Sequence, residues 1–245
     1  RFQRRELPSR DTVTALREYA PGASVVIDGL VYESAGITLN WHAPATLDQV
    51  NELQNIRRAW HRGHCGASGT GGLATLMEHC PECGSKLSSD SHRARQYLEP
   101  AGFSVDLFAQ THNDISLQKY VPVEPPWISA EGDWIPLVNP ELGSFRSSSD
   151  GSVFHYSSGV AGTGYAVCLE CGRAAPMGGH GDDSNELPAV FKHPHKRLRG
   201  RRGEGEDWNC GGSDNDFKIK KAISFGREYK TDVLELLLVG TDGRP

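Results

Sequence analysis

Val13, Leu16 and Tyr19 recur at helical spacing within "SRDTVTALREYA" (9–20), with Ser9 or Asp11 as the cap and Pro21-Gly22 as the stop. The next stretch, "ASVVIDGLVYESAGITL" (23–39), has two apolar runs parted by Asp28-Gly29, a strong short-range signal for a β-hairpin. A second helix is predicted over "TLDQVNELQNIRRAW" (46–60), where Leu47, Val50, Leu53 and Ile56 share one side. From Phe103 onward, "FSVDLFA", "KYVPVEPPWI" and "DWIPLV" read as short strands punctuated by Pro and Gly. Asp150-Gly151 predicts another hairpin, followed by a strand that runs into Cys168. Residues 178–215 show no periodicity and predict a long loop or an ordered insertion. Alternation around Ile219 and Ile223, then the run Val233–Val239, predicts two closing strands, the last one buried.

The expected class is therefore α+β, strand-rich, with long loops. Residues 1–50 form a helix-hairpin lead-in, 51–90 a Cys/His/Gly-rich module, and 91–245 a strand-rich domain. No tandem repeat is present at solenoid periods. The 28 glycines and 14 prolines reinforce the expectation of turns over helices. A net charge of −5 supplies no global field for nucleic acid or anionic lipid, so any such contact must come from a local patch. No apolar run approaches the roughly 20 residues of a membrane span, and no membrane partner is expected. The opening "RFQRRELPSR" has neither an initiator Met nor a secretory segment, which suggests a piece of a longer polypeptide, with a processed mature protein as the alternative.

The chemistry lies in six cysteines: Cys65, Cys80, Cys83, Cys168, Cys171 and Cys210. An even count also fits three disulfides, but a chain of this size needs no covalent staples. Cys65, Cys83, Cys171 and Cys210 each precede a glycine. Around a metal the backbone turns tightly on the thiolate, and glycine permits the positive φ that this turn requires. A redox Cys-x2-Cys would instead sit at a helix N-terminus. Zinc is thus the expected ligand, held by four N or S donors at each of one or two sites. The first site is expected from His61, Cys65, Cys80 and Cys83; His64 and His79 directly adjoin cysteines and are disfavoured. The second has Cys168, Cys171 and Cys210, with a fourth ligand from His193 or His195, and His180 as a weaker candidate. Neither set leaves an open position, so both read as structural.

"KHPHKRLRGRR" (192–202) carries Lys192, Lys196, Arg197, Arg199, Arg201 and Arg202 with no acid among them. Such a run can neutralise phosphates, although acidic flanks at 182–186 and 204–207 could pair with it instead. No phosphate-binding loop, zinc-protease helix, nucleophile elbow or deaminase signature occurs, and no catalytic residue is expected.

"GYAVCLECGRA" (164–174), "HKRLRG" (195–200), "CGG" (210–212) and "ISFGREYKTDVLELLL" (223–238) together resemble the MrfA-like zinc-binding domain. That domain stands at the C-terminal end of large superfamily 2 DNA helicases and of helicase-associated anti-phage defence proteins. Residues 14–37 are similar to the segment that leads into it, and 85–160 match least. The resemblance implies a zinc-stabilised domain at 91–245 and a zinc-ribbon-like insertion at 51–90. It favours His195 as the fourth ligand. It implies a cytoplasmic accessory role in anti-phage defence or DNA repair, with helicase motor domains of the same chain, DNA and other defence subunits as partners. ATP would bind only in that motor. Related chains carry a further Cys-x2-Cys after the tryptophan, and here Arg62 stands at its first position. The alternative function is a docking module for a partner subunit, with Trp127, Trp134 and Phe145 as its face.

Overall fold

Asp11 starts the first helix as its position predicts. Its carboxylate accepts from the Val13 and Thr14 amides at 3.0 and 3.1 Å, and α1 (Thr12–Glu18) buries Leu16 completely. The fold is that of a computed structural model, which describes residues 9–39, 55–63, 65–73, 79–84, 86, 94–106, 109–178, 186–192, 194–198, 209–210 and 218–239. Strands β1 (Ser24–Ile27) and β2 (Leu30–Ile37) form the expected hairpin, with Ile27 opposite Leu30. Asp28 and Gly29 have φ of 52° and 77°, as a primed two-residue turn requires.

The remaining strands are β3 (Arg57–His61), β4 (Ser68–Gly72), β5 (Ala94–Leu98), β6 (Phe103–Val105), β7 (Trp127–Ser129), β8 (Ile135–Pro136), β9 (Gly143–Ser157), β10 (Tyr165–Cys168), β11 (Ala174–Pro176), β12 (His195–Lys196), β13 (Asn209–Cys210) and β14 (Ile219–Leu238). The described residues are mostly β, with α1 their one α-helix.

The chain gathers into two compact units, each drawn from three stretches. The first comprises Arg1–Arg57, Arg95–Glu124 and Tyr156–Arg227. In it β6 extends the β1–β2 hairpin, while β11, β10, the first half of β14 and β5 lie side by side. Its core packs Leu16, Tyr97, Tyr165, Val167, Ile223 and Phe225, all nearly solvent-free, with the Tyr165 and Phe225 rings 4.5 Å apart. The second unit comprises Arg58–Ala94, Pro125–His155 and Glu228–Pro245. There β9 pairs with β7, β8 and β14, and β3 lies beside β4.

Four sequence expectations need correction. The helix predicted across 46–60 ends in strand instead: Arg57–His61 is β3, while Leu47, Val50 and Leu53 lie outside the described residues. Ile56 is buried as expected, but a pattern that suits one helix face also suits a short strand entering a turn. Asp150-Gly151 makes no turn, since β9 runs through it. A Cβ on Gly151 would stand 2.6 Å from the Val233 side chain and 3.0 Å from the Ser129 carbonyl. This glycine serves close approach of neighbouring strands. The two closing strands are one, β14, bulged where Ala222 takes a φ of 56° and the register against β10 slips by one residue. Its last part is not buried: Leu234, Leu236 and Leu238 are each more than half exposed.

Trp127, expected on a docking face, is 8% exposed and packs between the rings of His61 and Phe154. Arg146 anchors the second unit. At 1% exposure it forms ion pairs with Glu82, at 2.7 Å, and with Glu235, and lies 4.6 Å from the centre of the Trp134 ring. Removing one member of a buried pair strands the others, at a cost of about 3 kcal/mol. Arg146→Ala should therefore lower the thermal unfolding midpoint clearly. Glu131→Ala, which breaks the exposed Lys230 pair, should leave it unchanged. Equal midpoints in the two variants would refute the anchoring role.

Candidate metal centre

Three turns in the described residues share one hydrogen-bond pattern. In the first unit the Gly172 amide donates to the Cys168 carbonyl at 2.9 Å, the Cys168 amide donates to the Arg173 carbonyl at 2.8 Å, and Gly172 has φ of 80°. In the second unit Gly84 donates to the Cys80 carbonyl at 2.9 Å with φ of 66°. The third turn, also there, has Gly66 donating to the Arg62 carbonyl at 2.9 Å, Arg62 donating to the Ala67 carbonyl at 2.8 Å, and φ of 74° at Gly66. In each the chain reverses around the residue before the glycine, which is a cysteine every time. The glycine after three of the cysteines is thus explained by backbone geometry.

The 168–173 turn is built into the fold. The Ile37 amide donates to the Gly172 carbonyl at 2.8 Å, and a Cβ on Gly172 would meet the Ile37 carbonyl at 2.3 Å. Arg173, 7% exposed, donates to the Lys196 carbonyl at 2.7 Å and pairs with Asp106 at 2.8 Å. That contact brings β12 to the turn. Because β12 pairs with β13, His195 lies opposite Cys210. Residues 15 apart in sequence, and 24 or more from Cys171, thereby converge upon the turn.

The ligand atoms of Cys168, Cys171, His195 and Cys210 all lie within 4.8 Å of one another, an arrangement that could hold a metal ion. The Cys168 and Cys210 sulfurs are 3.7 Å apart, and Cys171 Sγ is 3.2 Å from His195 Nε2. None of the six cysteines is joined in a disulfide. Three of the four are buried and Cys171 is half-buried; Cys168 and Cys210 are 0% exposed and belong to an apolar cluster with Met177, Leu187 and Phe191. Phe191 packs edge-on against the His195 ring at 5.0 Å, which leaves Nε2 facing the sulfurs. His195 thus lies with the three sulfurs, and His193 lies outside the described residues.

Without a cation this packing disfavours thiolates. At Cys168 a hydrogen bond from Cys171 favours the charged form. The bond to Cys210, burial and the charge of Cys210 outweigh it and push the thiol up to about 12. Cys171 is raised too, by its hydrogen bonds to Cys168 and Cys210 and by burial. A metal would reverse the sign by replacing protons with a cation.

In the second unit Cys65, Cys80 and Cys83 also converge, with 3.7 Å between the Cys65 and Cys80 sulfurs. Burial pushes the Cys65 thiol up to about 11, and the neighbouring Cys83 and Cys80 add to the rise. His61 does not join them. It lies on β3 and stacks on Trp127 at 5.4 Å, because strand neighbours alternate faces and the turn uses position 62.

The basic run divides. Arg197, whose side chain is 13% exposed, pairs with Glu170 at 2.6 Å, and Lys218 pairs with the other oxygen of the same carboxylate at 2.5 Å. Burial works against the charge of Arg197, but Glu170 and the sulfurs of Cys210 and Cys171 outweigh it and raise its pKa. Lys192 pairs with Glu186, and Lys196 is exposed. Arg199, Arg201 and Arg202 lie outside the described residues. Sequence reasoning missed that Glu170 and Glu82 occupy the same place in "CLECG" and "CPECG", each paired with an arginine from a distant segment. The repeated Cys-x-Glu-Cys-Gly word was the available signal.

Two outcomes follow for the turns. Gly84→Ala in the second unit meets no atom of the described residues within 4 Å and should cost only the strain of a positive φ, about 1–3 kcal/mol, whereas Gly172→Ala in the first must also displace the β2 backbone. Retention of metal by Cys168, Cys171, His195 and Cys210 after dialysis should survive the former and fail in the latter. The raised thiols are neutral in the metal-free fold and would ionise on unfolding near pH 9, so stability falls as pH rises past about 9. With metal bound the thiolates are the folded form, and stability falls as pH drops. Thermal midpoints against pH, with and without a chelator, should slope in opposite directions. No family model matches the chain, and no curated protein or solved structure matches it significantly.

Proposed function

We propose that this chain is a non-catalytic, zinc-stabilised accessory module, and that Cys168, Cys171, His195 and Cys210 hold one Zn²⁺ as a structural ion. Zn–S bonds of about 2.3 Å in a tetrahedron place sulfurs about 3.8 Å apart. The 3.7 Å between Cys168 and Cys210 fits that edge. The observation that carries the reading is the complete donor set: four ligand atoms from three separated segments, three of the residues buried and Cys171 half-buried, enough to fill a tetrahedron. A zinc ion there would tie β12 and β13 to the 168–173 turn, contributing on the order of 10 kcal/mol to folding.

The resemblance of 164–174, 195–200, 210–212 and 223–238 to MrfA-like domains extends this reading. The module belongs to an ATP-dependent DNA helicase of anti-phage defence or DNA repair, in the cytoplasm, with ATP turnover in motor domains of the parent chain. Its DNA contact runs through Lys196, Arg199, Arg201 and Arg202. Arg197, committed to Glu170 beside the sulfurs, supports the metal site instead.

Metal analysis of the purified chain should find zinc, and Cys210→Ser should lose the ion held by this group. A folded, zinc-free wild-type chain would sink the proposal. For DNA, neutralising Arg199, Arg201 and Arg202 together should flatten the salt dependence of binding by up to about 0.9 in log–log slope per charge. Arg197→Ala should leave that slope alone and weaken metal retention about 10- to 100-fold. An unchanged slope in the triple variant would remove the DNA role while leaving the zinc module standing.

A further inference from the structure

Cys65, Cys80 and Cys83 differ from the first group in three respects, each visible in the second unit alone. First, the turn that ends on Cys65 has the same hydrogen bonds and left-handed glycine as the 168–173 turn, yet its opening position is Arg62, where the other has the ligand Cys168. A guanidinium has no lone pair to offer a metal at accessible pH. Secondly, Arg62 is 6% exposed and its Nη1 donates to the Lys86 carbonyl at 3.2 Å, just beyond the Cys80–Cys83 turn. It thus links the two turns across the gap that a shared ion would otherwise bridge. Thirdly, Cys80 is buried, Cys65 half-buried and Cys83 exposed, so this cluster of sulfurs reaches solvent. Among the described residues no fourth ligand atom joins them.

We propose that these three cysteines form a metal site of a second kind: a three-thiolate centre for a thiophilic divalent ion of the zinc class, whose fourth position is filled from outside the chain. Three soft thiolates select such ions over hard, oxygen-seeking ones. On binding, each thiol passes its proton to solvent and three S–metal bonds form. Water takes the fourth position and can be replaced by an imidazole or thiol donor, as at other zinc sites with three protein ligands. Because Arg62 already joins the turns, the local fold does not depend on the ion, and the ion exchanges. The site is thereby suited to a small thiol or to a cysteine or histidine of a partner, which would complete the coordination sphere.

The test uses the full chain loaded with Co²⁺, whose d–d bands report coordination. Wild type should bind two ions, one per group. Cys80→Ser should abolish only the ion that a competing chelator removes first, and Cys210→Ser only the retained one. Adding imidazole should shift the bands of the exchangeable ion in the Cys210→Ser chain. Arg62→Cys should make the second ion resist the chelator and abolish its response to imidazole. The proposal is overturned if Cys80→Ser leaves the metal content unchanged, if imidazole shifts nothing, or if Arg62→Cys retains the ion no better while folding normally by circular dichroism. Should Arg62→Cys not fold, the imidazole response of the arginine-bearing chain decides. Loss of the retained ion alone would count against the zinc reading of the first group and not against this site.

Discussion

Three thiols and an imidazole packed together, all but Cys171 buried, constrain everything around them. If the sulfurs stay protonated they are large, weakly polar groups that fit the apolar company of Met177, Leu187 and Phe191. If they ionise, only a cation among them can make the arrangement tolerable. The first unit is built to deliver these atoms to one place. The β2 strand backs the 168–173 turn through the Gly172 carbonyl, Arg173 holds β12, and β12 aligns His195 with Cys210.

Charge is arranged around the sulfurs in an equally definite order. Glu170, inside the turn, is held by Arg197 and Lys218, and the cation of Arg197 lies close enough to Cys171 and Cys210 for their charges to act on it. A dianionic or trianionic cluster of thiolates gains from such a neighbour whether or not a metal is bound. Glu82 plays the corresponding part in the second unit, where Arg146 reaches it from β9. The two Cys-x-Glu-Cys-Gly words therefore encode both the clustered thiols and the carboxylate that ties each turn to a cation from a distant segment. The units differ at one decisive position. Cys168 opens the turn in one, and Arg62 opens its counterpart in the other.

The division of the basic run follows from the same electrostatics. A row of cations in sequence looks uniform, but the partners available in space are not. Arg197 falls beside a knuckle carboxylate and is drawn inward, Lys192 meets Glu186, and Lys196 faces solvent. Residues of one short stretch thus divide between carboxylates beside the cysteine cluster, a neighbouring loop, and solvent.

Local rules were enough wherever a few neighbouring residues decide the backbone. Asp11 as a cap, Asp28-Gly29 as a turn, and glycine after Cys83 and Cys171 could all be read directly, because caps and left-handed turns are settled within four or five residues. The grouping of Cys168, Cys171 and Cys210 was also legible from spacing, and His195 from resemblance. What sequence could not supply was anything that depends on a neighbour from elsewhere. Asp150-Gly151 has the letters of a turn, yet β7 and β14 press in on Gly151 and keep the strand straight. His61 has a plausible ligand spacing, but strand alternation turns it toward Trp127. Local chemistry chose the turns. Long-range packing chose which side chains join the cysteine clusters, because direction in a strand or a loop is fixed by what lies across from it.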